Sequence, residues 1–175
     1  FTACNSDKAR NEDGQSPYAH KVSQGNPHFD LPDIQQNGEL IVLTLYGPES
    51  YFEFRGEDFG LQFMIARQYA KSIGASIRVD VSRDMKDLVT KLQNGEGDFV
   101  AFQIDKVDSL SSLLDYVGEK ELFTFMDSLS RQRKDDSLRP RPRAAWAVRK
   151  DSPLLSASLS QWMTTHQKEF FDYTT

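Results

Sequence analysis

The apolar positions between residues 38 and 102 change their spacing several times, and these changes predict a series of strands and helices. Residues 40–46 form a nearly continuous apolar run that Gly47 and Pro48 end. Such a run is typical of a strand buried on both faces of a parallel sheet. A helix is then predicted to begin near Phe59 and to close at Gly74. Its apolar positions recur at helical spacing, at Leu61, Met64, Ile65, Ala66 and Tyr69.

The same alternation of elements continues to residue 102. Residues 77–81 alternate apolar with polar positions and predict a second strand, residues 88–92 predict a second helix, and residues 99–102 predict a third strand. Helices that join short apolar strands imply right-handed β-α-β crossovers. We therefore predict an α/β fold with a mainly parallel sheet and helices on both faces.

The pattern is less regular after residue 102. Leu110, Leu113, Leu114 and Val117 have the spacing of a helix, and residues 122–126 predict a short strand or a further turn. Residues 144–148 predict another strand that returns to the sheet. Ser152 before Pro153 is a helix start signal. The apolar stripe of that last helix indicates core packing.

Residues 5–37 are polar and show almost no apolar periodicity, which predicts a tether or a loosely packed arm, with a short turn at residues 30–34. His20 and His28 lie in this segment. No cysteine or carboxylate cluster accompanies them at metal-ligand spacing. We interpret both histidines as solvated side chains, and we predict no metal site and no cofactor.

Length and composition narrow the function classes. A chain of 175 residues suits one domain and can bury a substantial core. The mean hydropathy is −0.57, and no window approaches the roughly 18 apolar residues that span a bilayer. A formal charge of −5 and a pI near 5.2 argue against nucleic acid as a partner, because phosphate binding needs a positive surface.

Four segments together carry a resemblance to a known family. They read GELIVLTL, GEDFGLQFMIARQYAKSIGASIRV, LVTKLQNGEGDFVA and, far downstream, AAWAVRKDSPLLSASLSQWM. Their order and spacing resemble the first lobe of the family-3 extracellular solute-binding proteins, which are type II periplasmic binding proteins. Within that superfamily, the sequence is most similar to the non-catalytic N-terminal domain of membrane-bound lytic transglycosylase F, Bacteroidetes type.

The chain also departs from that family in two places. Amino-acid-binding members usually carry an arginine after the third strand, and this chain reads FQIDKV there, with Lys106 as the nearest cation. Only residues 105–143 are available where the family inserts a second lobe, which is too little for a domain with its own core. We therefore predict a tether over residues 1–37 and a single lobe over residues 38–175, with residues 105–143 as a short connector.

A ligand cleft is expected where the chain leaves the carboxyl ends of the first and third strands. In the resembling family, the loop after the first strand contributes an aromatic residue to the cleft. The residues predicted to line it are Tyr46, Glu49, Ser50, Tyr51, Phe102 and Gln103. The alternative is that Tyr51, Phe52 and Phe54 of this loop only cover the top of the core.

Glu49 followed by Ser50 has the residue order of the lytic transglycosylase motif, in which the glutamate is the catalytic acid. That glutamate lies in an all-helical lysozyme-like domain, whereas Glu49 follows a strand and a Gly-Pro pair. A motif counts only in its structural setting. We predict no catalytic residue and no enzyme activity in this chain. The resemblance implies a longer parent protein, which we expect to be a peptidoglycan lytic transglycosylase.

Residues 131–143 hold six basic side chains against Asp135 and Asp136. Contact with anionic lipid or cell-wall polymer is one interpretation. A solvated connector in place of the second lobe is the interpretation that we favour, since charge runs are usually exposed.

Cys4 follows Phe1, Thr2 and Ala3, as at the end of a bacterial lipoprotein signal peptide. An incidental surface cysteine is the alternative. The lipoprotein interpretation predicts a lipid anchor on Cys4 at the periplasmic side of the cell envelope, with the outer membrane expected. The main functional hypothesis is a non-catalytic module that engages peptidoglycan or muropeptides, and the alternative is a stand-alone periplasmic small-solute (amino-acid-like) binding lipoprotein.

Overall fold

Five strands form one mixed sheet at the centre of the fold, and two shorter strands form a separate hairpin. The computed structural model describes residues 26–175. The strands are β1 (Glu39–Thr44), β2 (Phe52–Phe54), β3 (Glu57–Phe59), β4 (Ser76–Val81), β5 (Phe99–Asp105), β6 (Leu114–Val117) and β7 (Ala144–Arg149). The order across the sheet is β4-β1-β5-β7-β6. β1 runs parallel to β4 and β5, whereas β7 runs antiparallel to its neighbours β5 and β6.

Helices cover both faces of this sheet. They are α1 (Leu31–Asn37), α2 (Leu61–Ser72), α3 (Met85–Gln93), α4 (Asp108–Ser111), α5 (Glu119–Arg133), α6 (Pro153–His166) and α7 (Phe170–Tyr173), with short 3-10 helices at Asp136–Leu138 and Gln167–Glu169. Within residues 26–175, no helix has the length and apolar character that a membrane span requires. The predicted α/β fold with a mainly parallel sheet is confirmed.

The alternation of side chains along β1 creates two hydrophobic cores. Leu40 and Val42 pack on one face with residues of α1, α2, α5 and α6. Leu43 points to the other face, where it packs with Leu88 and Leu92 of α3. Each buried side chain of this size contributes about 1.5–3 kcal/mol relative to an exposed one. A strand that is apolar from Leu40 to Leu43 is therefore stabilised from both sides, as the sequence pattern predicted.

The folded unit begins before residue 38, within the segment predicted to be a tether. The guanidinium of Arg149 donates hydrogen bonds to the carbonyls of Pro27 at 3.0 Å, Phe29 at 2.9 Å and Leu92 at 3.0 Å, and also to that of Gly97. Arg149 is only 1% exposed. A buried cation thus joins the N-terminal segment to the end of α3 and the loop before β5.

A single carboxylate caps two helices at this end of the molecule. Asp30 begins α1, accepts a hydrogen bond from Leu31 N at 2.7 Å, and forms a capping box with Asp33. The Asp30 carboxylate also accepts bonds from Leu154 N at 3.1 Å and Leu155 N at 2.8 Å, in the first turn of α6. The turn predicted at residues 30–34 is therefore the start of a helix, and its capping residue also holds α6.

Residues 105–143 contain α4, β6, α5 and a 3-10 helix where a short connector was predicted. The helix expected over residues 110–117 is wrong, because Leu114–Val117 forms β6 and pairs with β7 at the edge of the sheet. The strand or turn expected at residues 122–126 is also wrong, because this stretch lies within α5. Gly118, with φ of 79°, separates the two elements. The segment therefore extends the lobe itself.

Asp98 is a buried acid beside the buried Arg149. Ile41 N donates a hydrogen bond to the Asp98 carboxylate at 2.7 Å. Burial raises the pKa of Asp98 to about 6, although the bond from Ile41 and the charge of Arg149 act in the opposite direction. Because the pKa is higher in the folded than in the unfolded state, the stability due to this group is complete below about pH 4 and is lost as the pH rises through 6.

We expect the substitution Asp98→Asn to reduce the dependence of stability on pH. Between pH 5 and pH 8, the free energy of unfolding of the wild type should fall relative to the variant, by about 1–3 kcal/mol. Urea unfolding of both proteins at several pH values measures this difference. Parallel pH profiles of wild type and variant would contradict the raised pKa.

Candidate functional site

A cleft lies at the sheet edge where β1 and β5 end. Because β7 is antiparallel to β5, the start of β7 lies at the same edge, and Lys106 N donates to Arg143 O at 2.8 Å there. The cavity has a volume of ≈ 360 Å³. Its lining residues are Tyr46, Gly47, Pro48, Glu49, Ser50, Gln62, Phe102, Gln103, Ser137, Arg139 and Arg141.

The loop after β1 is held in a fixed shape by its own hydrogen bonds. Gly47 N donates to Tyr51 O at 3.0 Å, and the buried Ser50 hydroxyl donates to Leu45 O at 2.6 Å. The Ser50 hydroxyl is thus committed to the backbone. The loop presents Tyr46 and Glu49 to the cleft as a fixed turn.

The same loop occupies the N-terminus of α2. Gln62 N donates to Glu49 O at 2.9 Å, and Phe63 N donates to Ser50 O at 3.0 Å. Gly60 precedes the helix with φ of 124°, and its α-carbon lies so close to the loop that a Cβ would be 2.3 Å from Ser50 O. Two of the first amides of α2 are therefore satisfied within the protein and are not free for a ligand.

An irregularity in β5 aims polar groups into the cleft. The register between β5 and β7 shifts between Val100 and Ile104, and Phe102 and Gln103 lie in this bulged stretch. Bulges re-aim side chains in this way. Gln103 is 5% exposed, and among the described residues its buried amide Nε2 has no hydrogen-bond partner.

Gln62 forms the floor of the cleft. It is buried, and its Oε1 accepts a hydrogen bond from Trp146 Nε1 at 2.8 Å. Trp146 lies on β7 in the core, with its ring centroid 5.5 Å from that of Phe99. The orientation of the Gln62 amide is therefore set by the core behind it.

Two arginines form the wall opposite the loop. Arg141 donates to Gln103 O, and its Nη1 lies 3.3 Å from the Asp105 carboxylate. Arg139 Nε lies 3.5 Å from the Asp136 carboxylate. The Arg141 side chain is 51% exposed. Gln103 and Asp105 thus hold the Arg141 guanidinium at the cleft, whereas the ion pair of Arg139 is exposed to solvent.

Glu49 faces these arginines across the cleft. Burial raises the pKa of Glu49 and is the largest effect, while the charge of Arg141 lowers it and that of Asp135 raises it. The cleft therefore contains two cations, one half-buried carboxylate and an unpartnered amide. Such a set of groups can bind a small polar molecule by hydrogen bonds and charge.

The structure brings five of the six predicted site residues together. Tyr46, Glu49, Ser50, Phe102 and Gln103 line the cleft. Tyr46 is 68% exposed, which leaves its ring available to a ligand.

Tyr51 is the predicted residue that does not line the cleft. Its ring is buried beneath Tyr46, with the two ring centroids 5.9 Å apart. Its hydroxyl donates to Asp58 at 2.7 Å, and burial together with that carboxylate raises the pKa of Tyr51. The side chain of Tyr51 points toward the β2–β3 hairpin, and its ring packs beneath the ring of Tyr46.

Sequence reasoning missed the wall of the cleft that is contributed by Ser137, Arg139 and Arg141. These residues lie in the basic segment that was interpreted as a solvated connector. The feature that could have indicated their position is the strand predicted to begin at Ala144. Because that strand enters the sheet antiparallel to β5, the residues before it lie at the carboxyl ends of β1 and β5. Gln62 was also not among the residues predicted to line the cleft.

Three further residues were singled out in the sequence. Cys4 and His20 fall outside the described residues. His28 is exposed, with its Nδ1 3.7 Å from the Asp151 carboxylate. In the part of the chain that the structure describes, no group of three or more histidine, cysteine, aspartate or glutamate side chains is placed to hold a metal ion.

No family model matches the sequence. Among solved structures, the arginine-bound form of domain 1 of TmArgBP has a TM-score of 0.60 and 15% identity, over 76% of this chain and 97% of that domain. An ancestral amino acid-binding protein, a precursor of cyclohexadienyl dehydratase, has a TM-score of 0.62 and 16% identity, over 82% of this chain and 96% of that one.

An amino acid ABC transporter substrate-binding protein from Streptococcus pneumoniae, bound to L-arginine, is also similar. Its TM-score is 0.60 and its identity 14%, over 82% of this chain and 95% of that chain. Identities this low show the fold alone, and these likenesses give no support to a finer kinship with lytic transglycosylase F. The sheet order, the helices on both faces and these superpositions show that residues 26–175 have the fold of a single lobe of a type II periplasmic binding protein.

Proposed function

We propose that this lobe is a receptor domain that binds a small, polar, amino-acid-like solute in the cleft between the Gly47–Tyr51 loop and Arg141. The observation that carries the proposal is the convergence of polar groups on one cavity, with the buried amide of Gln103 lacking a partner in the described part of the chain. A volume of ≈ 360 Å³ is in the range of small-molecule sites. The alternative functional hypothesis from the sequence is thus the better supported one.

Two features favour binding by one lobe. The Asp135–Arg143 stretch supplies a second wall to the cleft, which in two-lobed proteins comes from the other lobe. Domain 1 of TmArgBP, which has a similar fold, is itself known in an arginine-bound form. A ligand bound here would contact the exposed ring of Tyr46, the carboxylate of Glu49 and the guanidinium of Arg141.

Ligand binding should raise the melting temperature of the full chain. A ligand at a hundredfold excess over its Kd stabilises a protein by roughly 2.7 kcal/mol. We would screen L-amino acids, small carboxylates and muropeptides by thermal shift and confirm the hits by calorimetry. Stabilisation by at least one compound is expected, and no stabilisation across the panel would overturn the proposal.

A pair of tryptophan variants locates the binding site. Ser137 is exposed at the rim of the cleft, so Ser137→Trp should fill the cavity and abolish the ligand-induced shift. Ser128→Trp, on the exposed face of α5, is the matched control and should keep the shift. Equal shifts in both variants would place the ligand elsewhere.

The narrower hypothesis makes this lobe a non-catalytic module of an envelope lytic transglycosylase that engages peptidoglycan. It derives support from the sequence resemblance, and it predicts that a muropeptide is the best ligand in the same screen. Attachment to the outer membrane through a lipid on Cys4 also stays a proposal. An unmodified Cys4 in the intact mass of the native protein would contradict it.

A further inference from the structure

The Asp135–Arg143 stretch is fixed in place at both of its ends. Lys134, with φ of 53°, ends α5 and turns the chain. Leu138 is buried in the core shared by α2 and α5. At the other end, Lys106 N donates to Arg143 O at 2.8 Å. The arginines between these anchors therefore have a defined position over the carboxyl edge of the sheet, although their side chains reach solvent.

The guanidinium of Arg141 has donors left over after its protein contacts. Nη2 donates to Gln103 O, and Nη1 lies 3.3 and 3.4 Å from the two Asp105 carboxylate oxygens. A guanidinium carries five N–H donors. The contacts with Gln103 and Asp105 hold the group in orientation, and Arg141 lines the cleft with donors that these contacts do not use.

Gln103 adds a second donor beside Arg141. The residue lines the same cleft, and its buried Nε2 lacks a partner among residues 26–175. Leaving a buried N–H unpaired costs about 1–3 kcal/mol. A ligand atom that accepts a hydrogen bond from Nε2 recovers this cost. A guanidinium and an amide N–H both donate hydrogen bonds, so a ligand group that contacts both must be an acceptor. A negatively charged acceptor forms the stronger hydrogen bonds beside a cation.

We infer that Arg141 and Gln103 together recognise a carboxylate of the ligand, and that the Asp135–Arg143 stretch is the specificity element of this single lobe. The inference rests on the proposed function and names the substrate class of the same cleft. A planar carboxylate matches the fork of a guanidinium, and its second oxygen can accept from the Gln103 amide. The arginine comes from the approach to β7, a different part of the chain from that expected after β5.

The test compares L-amino acids with their carboxamides on the full chain by thermal shift and calorimetry, with inorganic phosphate as a further probe. An amino acid that stabilises the chain should bind about 10- to 100-fold more tightly than its amide, because a charge-assisted bond is lost. Equal binding of acid and amide would overturn this inference alone, whereas no binding of either would contradict the proposed function. Stabilisation by phosphate without any amino acid would overturn the carboxylate assignment.

Three variants separate recognition from structural effects. Arg141→Gln and Gln103→Leu should each weaken the binding of the amino acid by about 10-fold or more. The affinity for its carboxamide should stay nearly unchanged. Gln103→Leu removes an unpartnered buried amide, so the melting temperature without ligand should stay level or rise. Arg143→Gln, an exposed arginine of the same stretch that does not line the cleft, is the charge control. An equal loss in Arg143→Gln would show a general charge effect and overturn the inference.

Discussion

Replacing Arg149 with methionine is expected to lower the free energy of unfolding by about 3–5 kcal/mol, since buried charge networks lose this much when one partner is removed. The guanidinium is 1% exposed and donates to four backbone carbonyls, of Pro27, Phe29, Leu92 and Gly97. Methionine fills much of the volume but donates nothing, so these buried carbonyls lose a partner. Urea unfolding followed by circular dichroism measures the loss.

Two further variants make this result interpretable. Arg149→Lys keeps the charge but cannot reach four carbonyls with a single ammonium, so its stability should be intermediate. Arg78 is 42% exposed, and its ion pair with Glu39 spans 4.0 Å. Arg78→Met should therefore cost less than about 1 kcal/mol. Equal effects at positions 78 and 149 would show that Arg149 does not join the N-terminal segment to the lobe.

The substitution Gly60→Ala should destabilise the fold and also impair ligand binding. Gly60 has φ of 124°, and an added Cβ would lie 2.3 Å from Ser50 O and 2.8 Å from Tyr51 Cα. Backbone strain and overpacking together cost about 2–5 kcal/mol. The relief available is a shift of the Gly47–Tyr51 loop, which would move Glu49 and Tyr46 in the cleft. Unfolding and ligand titration of the same variant measure both effects.

Gly74→Ala is the matched control at the other end of α2. Gly74 also has a positive φ, of 76°, but no atom lies within 4 Å of the position of its Cβ. Its cost should be limited to the left-handed conformation, about 1–2 kcal/mol, with ligand binding retained. If Gly60→Ala were as stable as Gly74→Ala and bound ligand equally well, the close contact with the loop would have no functional role.

The first half of the fold could be predicted because its elements are locally encoded. β1 is apolar from Leu40 to Leu43 and α2 has regular helical spacing, so each element can be recognised from its own residues. The region around β6 could not be predicted in this way, because Leu114 and Val117 are three positions apart and fit one face of a helix equally well. Pairing with β7, a contact between distant parts of the chain, decides the outcome there.

The residues of the candidate site also differ in whether the sequence could predict their position. Tyr46, Glu49 and Ser50 follow a predicted strand directly, so their place at its carboxyl end could be expected. Arg141 reaches the cleft only through the antiparallel entry of β7, and its charge alone suggested an exposed connector. Tyr51 was misplaced because neighbouring residues of a loop point in different directions, and sequence does not encode which one turns inward.

The contacts of the N-terminal segment have a consequence for the order in which the chain becomes structured. Arg149 binds Pro27 O across a sequence separation of 122 residues, Ser152 binds Phe29 O across 123, and Leu155 N binds Asp30 across 125. Contacts this distant close the largest loops and form slowly. During synthesis, the segment around Phe29 leaves the ribosome at least 122 residues before these partners are made. The segment around Phe29 therefore stays without its packing partners for longer than the other described parts of the lobe.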